Sequence, residues 1–276
     1  MAPLGPVTAL DYEDLDLQDF DAVRRIVRDG QPELIVNASA YTDVDRAESE
    51  PDKAHAINAV VPGILAEEAR TLDAGLIHYS TDYVFDGEKG GLYHEDDPAH
   101  PLNAYGRSKL GGEQAIRLVD GAYLIFRTAW VYSMRGSSFI SKTLSWARRN
   151  EMLRIVDDQV SNPTWARMLA ETTALLVAGA PRQPAAWMWE RRGVYHLAGD
   201  GYASRLDWAR RILELDPKRD EQVVKELLPA RSSDFPTPAL RPGFSALNCE
   251  RFASTFGLRL PPWQEALPLA MGSALT

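Results

Sequence analysis

Gly75-Leu76-Ile77-His78-Tyr79-Ser80-Thr81-Asp82, followed after a loop by Asn103-Ala104-Tyr105-Gly106-Arg107-Ser108-Lys109, decides the fold class of this chain. The first stretch is a short apolar run that turns polar at Ser80, the pattern of a buried strand whose carboxyl end delivers Thr81. In open α/β sheets ligands bind outside such ends. In the second stretch Asn103 is able to cap a helix running from about Ala104 to Val119. Tyr105 and Lys109 are four apart, so on that helix they share a face. A hydroxyl, a phenol and an ammonium then surround a place where a carbonyl could be reduced. A free phenol, with pKa near 10, is a poor acid at neutral pH, and a neighbouring cation draws it towards the useful range. The spacing alone is weak evidence: ten tyrosines and six lysines give Tyr-x-x-x-Lys roughly 0.2 times by chance in a chain of this length. Its plain alternative is a pair on a solvated helix face, and the strand and cap around it favour the catalytic arrangement.

Outward from this centre, strands alternate with helices. Val7 to Leu10 reads as a short strand, and Phe20, Val23, Ile26 and Val27 as the apolar face of a helix ending at Gly30-Gln31-Pro32. Leu34-Ile35-Val36 reads as a buried strand, Asp52 to Leu72 as a helix interrupted near Pro62, and Tyr123 to Phe126 as a further strand. Such alternation implies a parallel sheet with right-handed crossovers, an α/β doubly wound fold. Past Trp130 the pattern predicts helices over Ser138 to Arg149 and Trp165 to Val177, a strand at Arg154-Ile155-Val156 and a loop over Pro181 to Trp189. Gly193 to Leu197 reads as a strand returning to the main sheet. The expected domains are a dinucleotide-binding domain over 1–150, completed by 164–199, and a smaller substrate-binding lobe over 151–276, proline-rich from Leu206 onward.

Bulk properties narrow the class. The 276 residues can bury a substantial core, and 45% hydrophobic with 25% charged residues is ordinary for a globular chain. A net charge of -9 argues against nucleic acid as a partner. A single cysteine, Cys249, forms no disulfide within the chain and fits a cytoplasmic location. No basic-then-apolar leader opens the chain, no apolar run approaches membrane-spanning length, and the five histidines lack zinc-ligand spacing, so neither membrane nor metal is expected.

Taken together, the Thr81 and Tyr105-Lys109 segments resemble the extended branch of the short-chain dehydrogenase/reductase superfamily. More narrowly, the chain resembles the dTDP-4-dehydrorhamnose reductases. The matching segments include Val36-Asn37-Ala38-Ser39-Ala40-Tyr41-Thr42-Asp43, Ala47-Glu48-Ser49-Glu50-Pro51, Phe126-Arg127-Thr128-Ala129-Trp130-Val131-Tyr132, Asp158-Gln159 with Pro163-Thr164, Pro236-Thr237-Pro238-Ala239-Leu240-Arg241-Pro242, and Leu260-Pro261-Pro262-Trp263. The resemblance implies a Rossmann-like sheet and NADPH- or NADH-dependent reduction of the 4-keto group of a dTDP-bound 6-deoxy sugar. It assigns Tyr105 as the proton donor, Lys109 as the group that lowers its pKa and holds the nicotinamide ribose, and Thr81 as a hydrogen-bond donor to the substrate oxygen. The cofactor would also meet Asp11 at its adenosine ribose, Asp16 and Leu17 near the adenine, and Ala40, Tyr41, Thr42 and Tyr79 along the pocket. Asp82 and Trp130 would contact the sugar, and Arg241 the diphosphate. Trp130 is otherwise a core aromatic, and Arg241 otherwise a structural ion-pair partner. A homodimer is the expected assembly.

The chain departs from the family pattern at its start. The first strand and its Gly-x-x-Gly-x-x-Gly turn, whose amides cradle the dinucleotide pyrophosphate, have no counterpart, and Met1 to Asp11 resembles the end of the first helix running into the second strand. The expectation is a truncated or misassigned start, preceded in the full gene product by one further βα unit. Two other readings stay open: a non-catalytic subunit resembling the regulatory β subunit of methionine adenosyltransferase, and a nucleotide-sugar epimerase or dehydratase sharing the same Tyr and Lys.

Overall fold

A computed structural model describes residues 4–180 and 184–272. In chain order its strands are β1 (Leu34–Asn37), β2 (Gly75–Thr81), β3 (Ala122–Thr128), β4 (Val131–Tyr132), β5 (Met152–Val156), β6 (Val160–Ser161), β7 (Thr164–Trp165), β8 (Gly193–His196), β9 (Ala203–Ser204) and β10 (Glu226–Ala230). Its α-helices are α1 (Phe20–Gly30), α2 (Pro51–His55), α3 (Val61–Thr71), α4 (Ala104–Val119), α5 (Phe139–Ala147), α6 (Ala166–Ala178), α7 (Pro184–Glu190), α8 (Arg205–Glu214), α9 (Glu250–Phe256) and α10 (Trp263–Gly272). The main sheet is wholly parallel, in the order β1-β2-β3-β8. The expected return of the chain at Gly193 is therefore found, with Leu124 facing Gly193 across the ladder.

Alternation along β2 and β3 sorts their side chains onto two faces. Leu76 and Ile125 pack with Val23, Val61, Ile64 and Ile116 from α1, α3 and α4, whereas Ile77, Leu124 and Phe126 pack with Leu169, Met188 and Phe252 from α6, α7 and α9. Both faces are covered, which is why these strands read as continuous apolar runs. A separate cluster of Tyr132, Trp165, Trp208 and Trp263 holds the later helices together.

Two readings of the sequence need correction. Val7 to Leu10 has no strand pairing and its side chains are exposed. A strand is stable only through its ladder, and the apolar residues there find no neighbour to pair with. Of the loop expected over Pro181 to Trp189, the first three residues lie outside the described part, but Pro184–Glu190 is helix α7, with Ala185 and Met188 buried against the sheet. The Asp52 to Leu72 helix is interrupted near Pro62 as expected: a π-type turn covers Ala56–Val60, and Pro62 sits in the first turn of the helix that resumes, where its missing N–H costs nothing.

One buried ionic knot fixes α4 on the sheet. Ser80 and Arg127 are register partners on β2 and β3, and both reach Glu113 of α4. The Ser80 hydroxyl donates to Glu113 Oε1 at 2.6 Å, and Arg127 donates through Nε at 2.9 Å and Nη2 at 2.7 Å to the two carboxylate oxygens. The Arg127 and Glu113 side chains are only 5% and 1% exposed, so neither charge can turn to water. Removing one member leaves the other buried and unpaired. Glu113→Ala is expected to lower unfolding free energy by about 3–5 kcal/mol, and the double change Glu113→Leu with Arg127→Met by much less. Urea unfolding of the single and double variants checks this; equal losses in both would show that the charge pair is not what matters.

Candidate active site

Four segments meet at the carboxyl ends of β1, β2 and β3 around a cavity of about 680 Å³. Ala38, Ser39, Ala40 and Thr42 follow β1; Tyr79 to Tyr83 end β2; Tyr105 and Lys109 come from α4; and Thr128 to Trp130 end β3. Arg205, at the start of α8, also lines it. This is the crevice in which parallel sheets place ligands.

Helix α4 is set by its ends and by two close approaches. The Asn103 side chain accepts from the Gly106 N–H at 2.7 Å, the capping role read from the sequence, and its own amide donates to the Leu240 carbonyl at 2.8 Å. A Cβ on Gly106 would stand 2.2 Å from the Tyr83 carbonyl oxygen, and one on Gly112 would stand 2.2 Å from that of Asn58. Only glycine lets the helix press this closely on the turn that follows Thr81. The rings of Tyr83 and Tyr105 meet edge to face with centroids 6.0 Å apart.

Within this frame Tyr105 and Lys109 behave differently. Burial pushes the Tyr105 phenol well up, reinforced by the charge of Asp82, while the Thr81 hydroxyl opposes the rise. Lys109 is 2% exposed, and its ammonium donates to the Tyr79 carbonyl at 2.6 Å and lies 3.4 Å from His78 Nε2. Burial pulls Lys109 down to about 8, with Glu113 opposing. His78, buried beside it, is held far below its ordinary value by burial and by the Lys109 charge, and so stays neutral. The amide of Asn37 lies 3.1 Å from the other nitrogen of that ring. The expected action of Lys109 on Tyr105 is thus not present as a direct contact here: the ammonium points at β2, and the phenol meets Thr81.

Thr81 serves two partners. Its hydroxyl accepts from the Tyr83 N–H at 3.1 Å, capping the turn Asp82–Val84, and donates to Asp82 Oδ1 at 3.2 Å. The other Asp82 oxygen accepts from Ser161 at 2.9 Å and Ser245 at 2.5 Å. Burial raises this carboxyl to about 6, and the three hydroxyls hold it down from higher still. Trp130 sits at φ 38, in the left-handed region that a bulky side chain occupies only when its surroundings impose it. One constraint is its stacking on Trp208, with centroids 5.5 Å apart. Trp130 therefore belongs both to the aromatic core and to the cavity wall. Tyr79 lines the cavity, with its hydroxyl 2.6 Å from Thr173.

Other expected residues lie elsewhere. Asp11 is in an exposed turn, accepting from the Tyr12 N–H at 2.7 Å, and Asp16 accepts from the Gln18 N–H at 2.9 Å. Leu17 packs on the α1–α3 cluster. None of the three lines the cavity, because without a strand at Val7 to Leu10 nothing carries Asp11 to a sheet end. Tyr41 turns away between Ala40 and Thr42, its hydroxyl donating to Glu50 at 3.0 Å. Arg241 is also outside the wall: it grips Asp45 with two bonds of 3.1 and 2.7 Å, the structural ion pair left open above. It holds Asp45 below the usual carboxylate range. Arg205, Ser161, Ser245 and Thr128 were not singled out by sequence, and no local pattern marks them.

The walls fit the nicotinamide end of a dinucleotide. Lys109 offers an ammonium, Ala38 and Ala40 keep the wall low, and Thr128 Oγ1 is buried without a partner. No glycine-rich turn lines the cavity among the described residues, so these groups account for that half of the cofactor alone.

Comparison with known proteins agrees with this geometry. The family model described as RmlD substrate binding domain matches residues 2–275. A dTDP-4-dehydrorhamnose reductase of Burkholderia thailandensis is 40% identical over 279 residues, spanning 100% of this chain and 93% of that protein. A crystal structure of a dTDP-4-dehydrorhamnose reductase from Clostridium acetobutylicum superposes with a TM-score of 0.88 at 31% identity, covering 98% of this chain and 91% of the other. One from Bacillus anthracis, in complex with NADP, gives 0.85 at 29%, covering 96% and 89%. By a match that runs almost from end to end, carried on a sheet and crevice of the same architecture, the chain belongs to the RmlD substrate binding domain family.

Proposed function

We propose that this chain reduces the 4-keto group of dTDP-4-dehydro-L-rhamnose to give dTDP-L-rhamnose, with NADPH or NADH as reductant. The observation that carries the reading is the meeting of Thr81, Tyr105 and Lys109 in one cavity of a chain related end to end to reductases of that name. That full-length relation favours the reductase over the regulatory-subunit and epimerase or dehydratase readings.

The cofactor, when bound, supplies a hydride to the carbonyl carbon. The residues of the chain do the rest. Thr81 turns its hydroxyl proton from Asp82 to the carbonyl oxygen and stabilises the charge that develops there. Tyr105 gives its phenolic proton to that oxygen, so that C=O becomes CH–OH and the tyrosinate is reprotonated from solvent. Burial keeps Tyr105 protonated until negative charge appears on the substrate, as a general acid requires. Lys109 holds cofactor hydroxyls as a cation. Asp82, pinned by Ser161 and Ser245, presents a fixed acceptor edge to the sugar, and Trp130 presents a flat apolar wall. The same proposal includes a homodimer in the cytoplasm; light scattering on the purified chain should give twice the 30.7 kDa of one chain, and a monomer would remove that part.

Replacing Tyr105 with Phe should lower kcat by about 10²–10⁴-fold while leaving dTDP affinity nearly unchanged. Single-turnover oxidation of NADPH with the keto sugar measures the first and calorimetry the second; wild-type turnover in the variant would remove Tyr105 from the acid role.

The pH profile tests Lys109. Its folded-state pKa is lowered to about 8, so below that value it is cationic, and as pH rises through it the cation is lost. Free-enzyme ionisations appear in kcat/KM, so kcat/KM for the cofactor should fall about tenfold per pH unit above roughly 8. A profile flat to pH 9 would mean that a charged Lys109 is not needed for cofactor capture.

A further inference from the structure

Arg205 is a cation in the cavity that no carboxylate neutralises. It opens α8 behind the Ser204 cap and is half-buried. Its guanidinium carbon lies 3.6 Å from the Trp130 ring centroid, 5.0 Å from that of Phe139 and 5.6 Å from that of Trp208. Among the described residues it forms no ion pair. Tyr83, which also hydrogen-bonds it, and Asp82 are the groups that favour its charge, and neither forms an ion pair with it; the Asp82 carboxylate meets the hydroxyls of Thr81, Ser161 and Ser245 instead. Arg241, the other arginine whose charge reaches it, is paired with Asp45.

A guanidinium keeps its N–H donors in its own plane, so one that stacks on an indole directs them sideways rather than at the ring. Such a fork matches two oxygens of a phosphate or diphosphate. A half-buried cation without a counter-ion is costly, and that cost is offset when a bound anion arrives. We propose that Arg205 binds the diphosphate of the nucleoside diphosphate sugar, taking the role that the sequence suggested for Arg241, and that it sets the preference of the cavity for diphosphate-bearing ligands. This rests on the reductase reading for the identity of the substrate. The Trp130 wall then has two functions: its cavity side meets the sugar, and its stacking aims Arg205.

The test uses the full chain with Arg205→Gln and Arg205→Lys, and dTDP and thymidine as probes. In Arg205→Gln the Kd for dTDP and the KM for the keto sugar nucleotide should each rise about 10–100-fold, with a smaller change in kcat and none in thymidine affinity. The dependence of dTDP binding on salt should flatten in the same variant, and Arg205→Lys should recover part of the affinity. A purely structural role would lower the melting temperature without separating dTDP from thymidine. Unchanged dTDP affinity in a folded variant overturns the proposal while leaving the reductase reading intact. Wild-type dTDP binding with no reduction of the keto sugar, and with the Arg205→Gln loss still seen, overturns the reductase reading and leaves Arg205 standing. Wild-type protein that binds no dTDP sinks both.

Discussion

The Ser80-Glu113-Arg127 knot is the constraint on which the site depends. Ser80 precedes Thr81, Arg127 precedes Thr128, and Glu113 lies one helical turn past Lys109. Three buried hydrogen bonds, two of them from a guanidinium, thus fix the ends of two strands and the helix that crosses them. Buried charge pairs of this kind are poor sources of net stability but strict about geometry, because any slip strands a charge in the core. The knot extends outward as well. Arg127 lies over the Phe85 ring at 5.0 Å, and Glu95 Oε1 accepts from the His196 N–H on the next strand at 2.9 Å.

The candidate catalytic groups hang on this frame, Lys109 deeply buried and Tyr105 half-buried. Lys109 is buried deeply enough that its charge is only weakly favoured, with the Tyr79 carbonyl as its direct acceptor. Tyr105 is raised rather than lowered, the state suited to a proton donor that must not ionise before the substrate needs it. Between them, Gly106 allows α4 to touch the turn after Thr81. The spacing of the two side chains comes from the helix; their distance from Thr81 comes from a missing methyl group.

The far wall is contributed by the later part of the chain. Asp82 is held by Ser161 of β6 and by Ser245, residues 79 and 163 positions away. Trp130, strained at positive φ, is locked by Trp208, and Arg205 lies on it. These contacts join the sheet to the segment that packs around the Trp208 cluster. Arg241, the residue that the resemblance suggested for the anion, is held by another partner. It stands in a proline-flanked segment of the expected lobe, where Asp45 accepts one hydrogen bond from its Nη1 and one from its Nη2.

What the sequence determined by itself was everything carried by short-range periodicity: alternating strands and helices, the Asn103 cap, the Tyr105 and Lys109 face, and the strand that ends at Thr81. These depend on side chains within four residues of one another, so local order is enough to read them. Only the tertiary structure decided which polar groups meet. It left Val7 to Leu10 without a ladder and Asp11 away from the cavity, paired Arg241 with Asp45, buried Glu113 against Arg127, and laid Arg205 on its indole without an ion-pair partner among the described residues. Those outcomes turn on partners far apart in sequence, and the reason is physical: desolvation and pairing energies are set by whatever the completed packing brings within about 4 Å, a distance that no local pattern encodes.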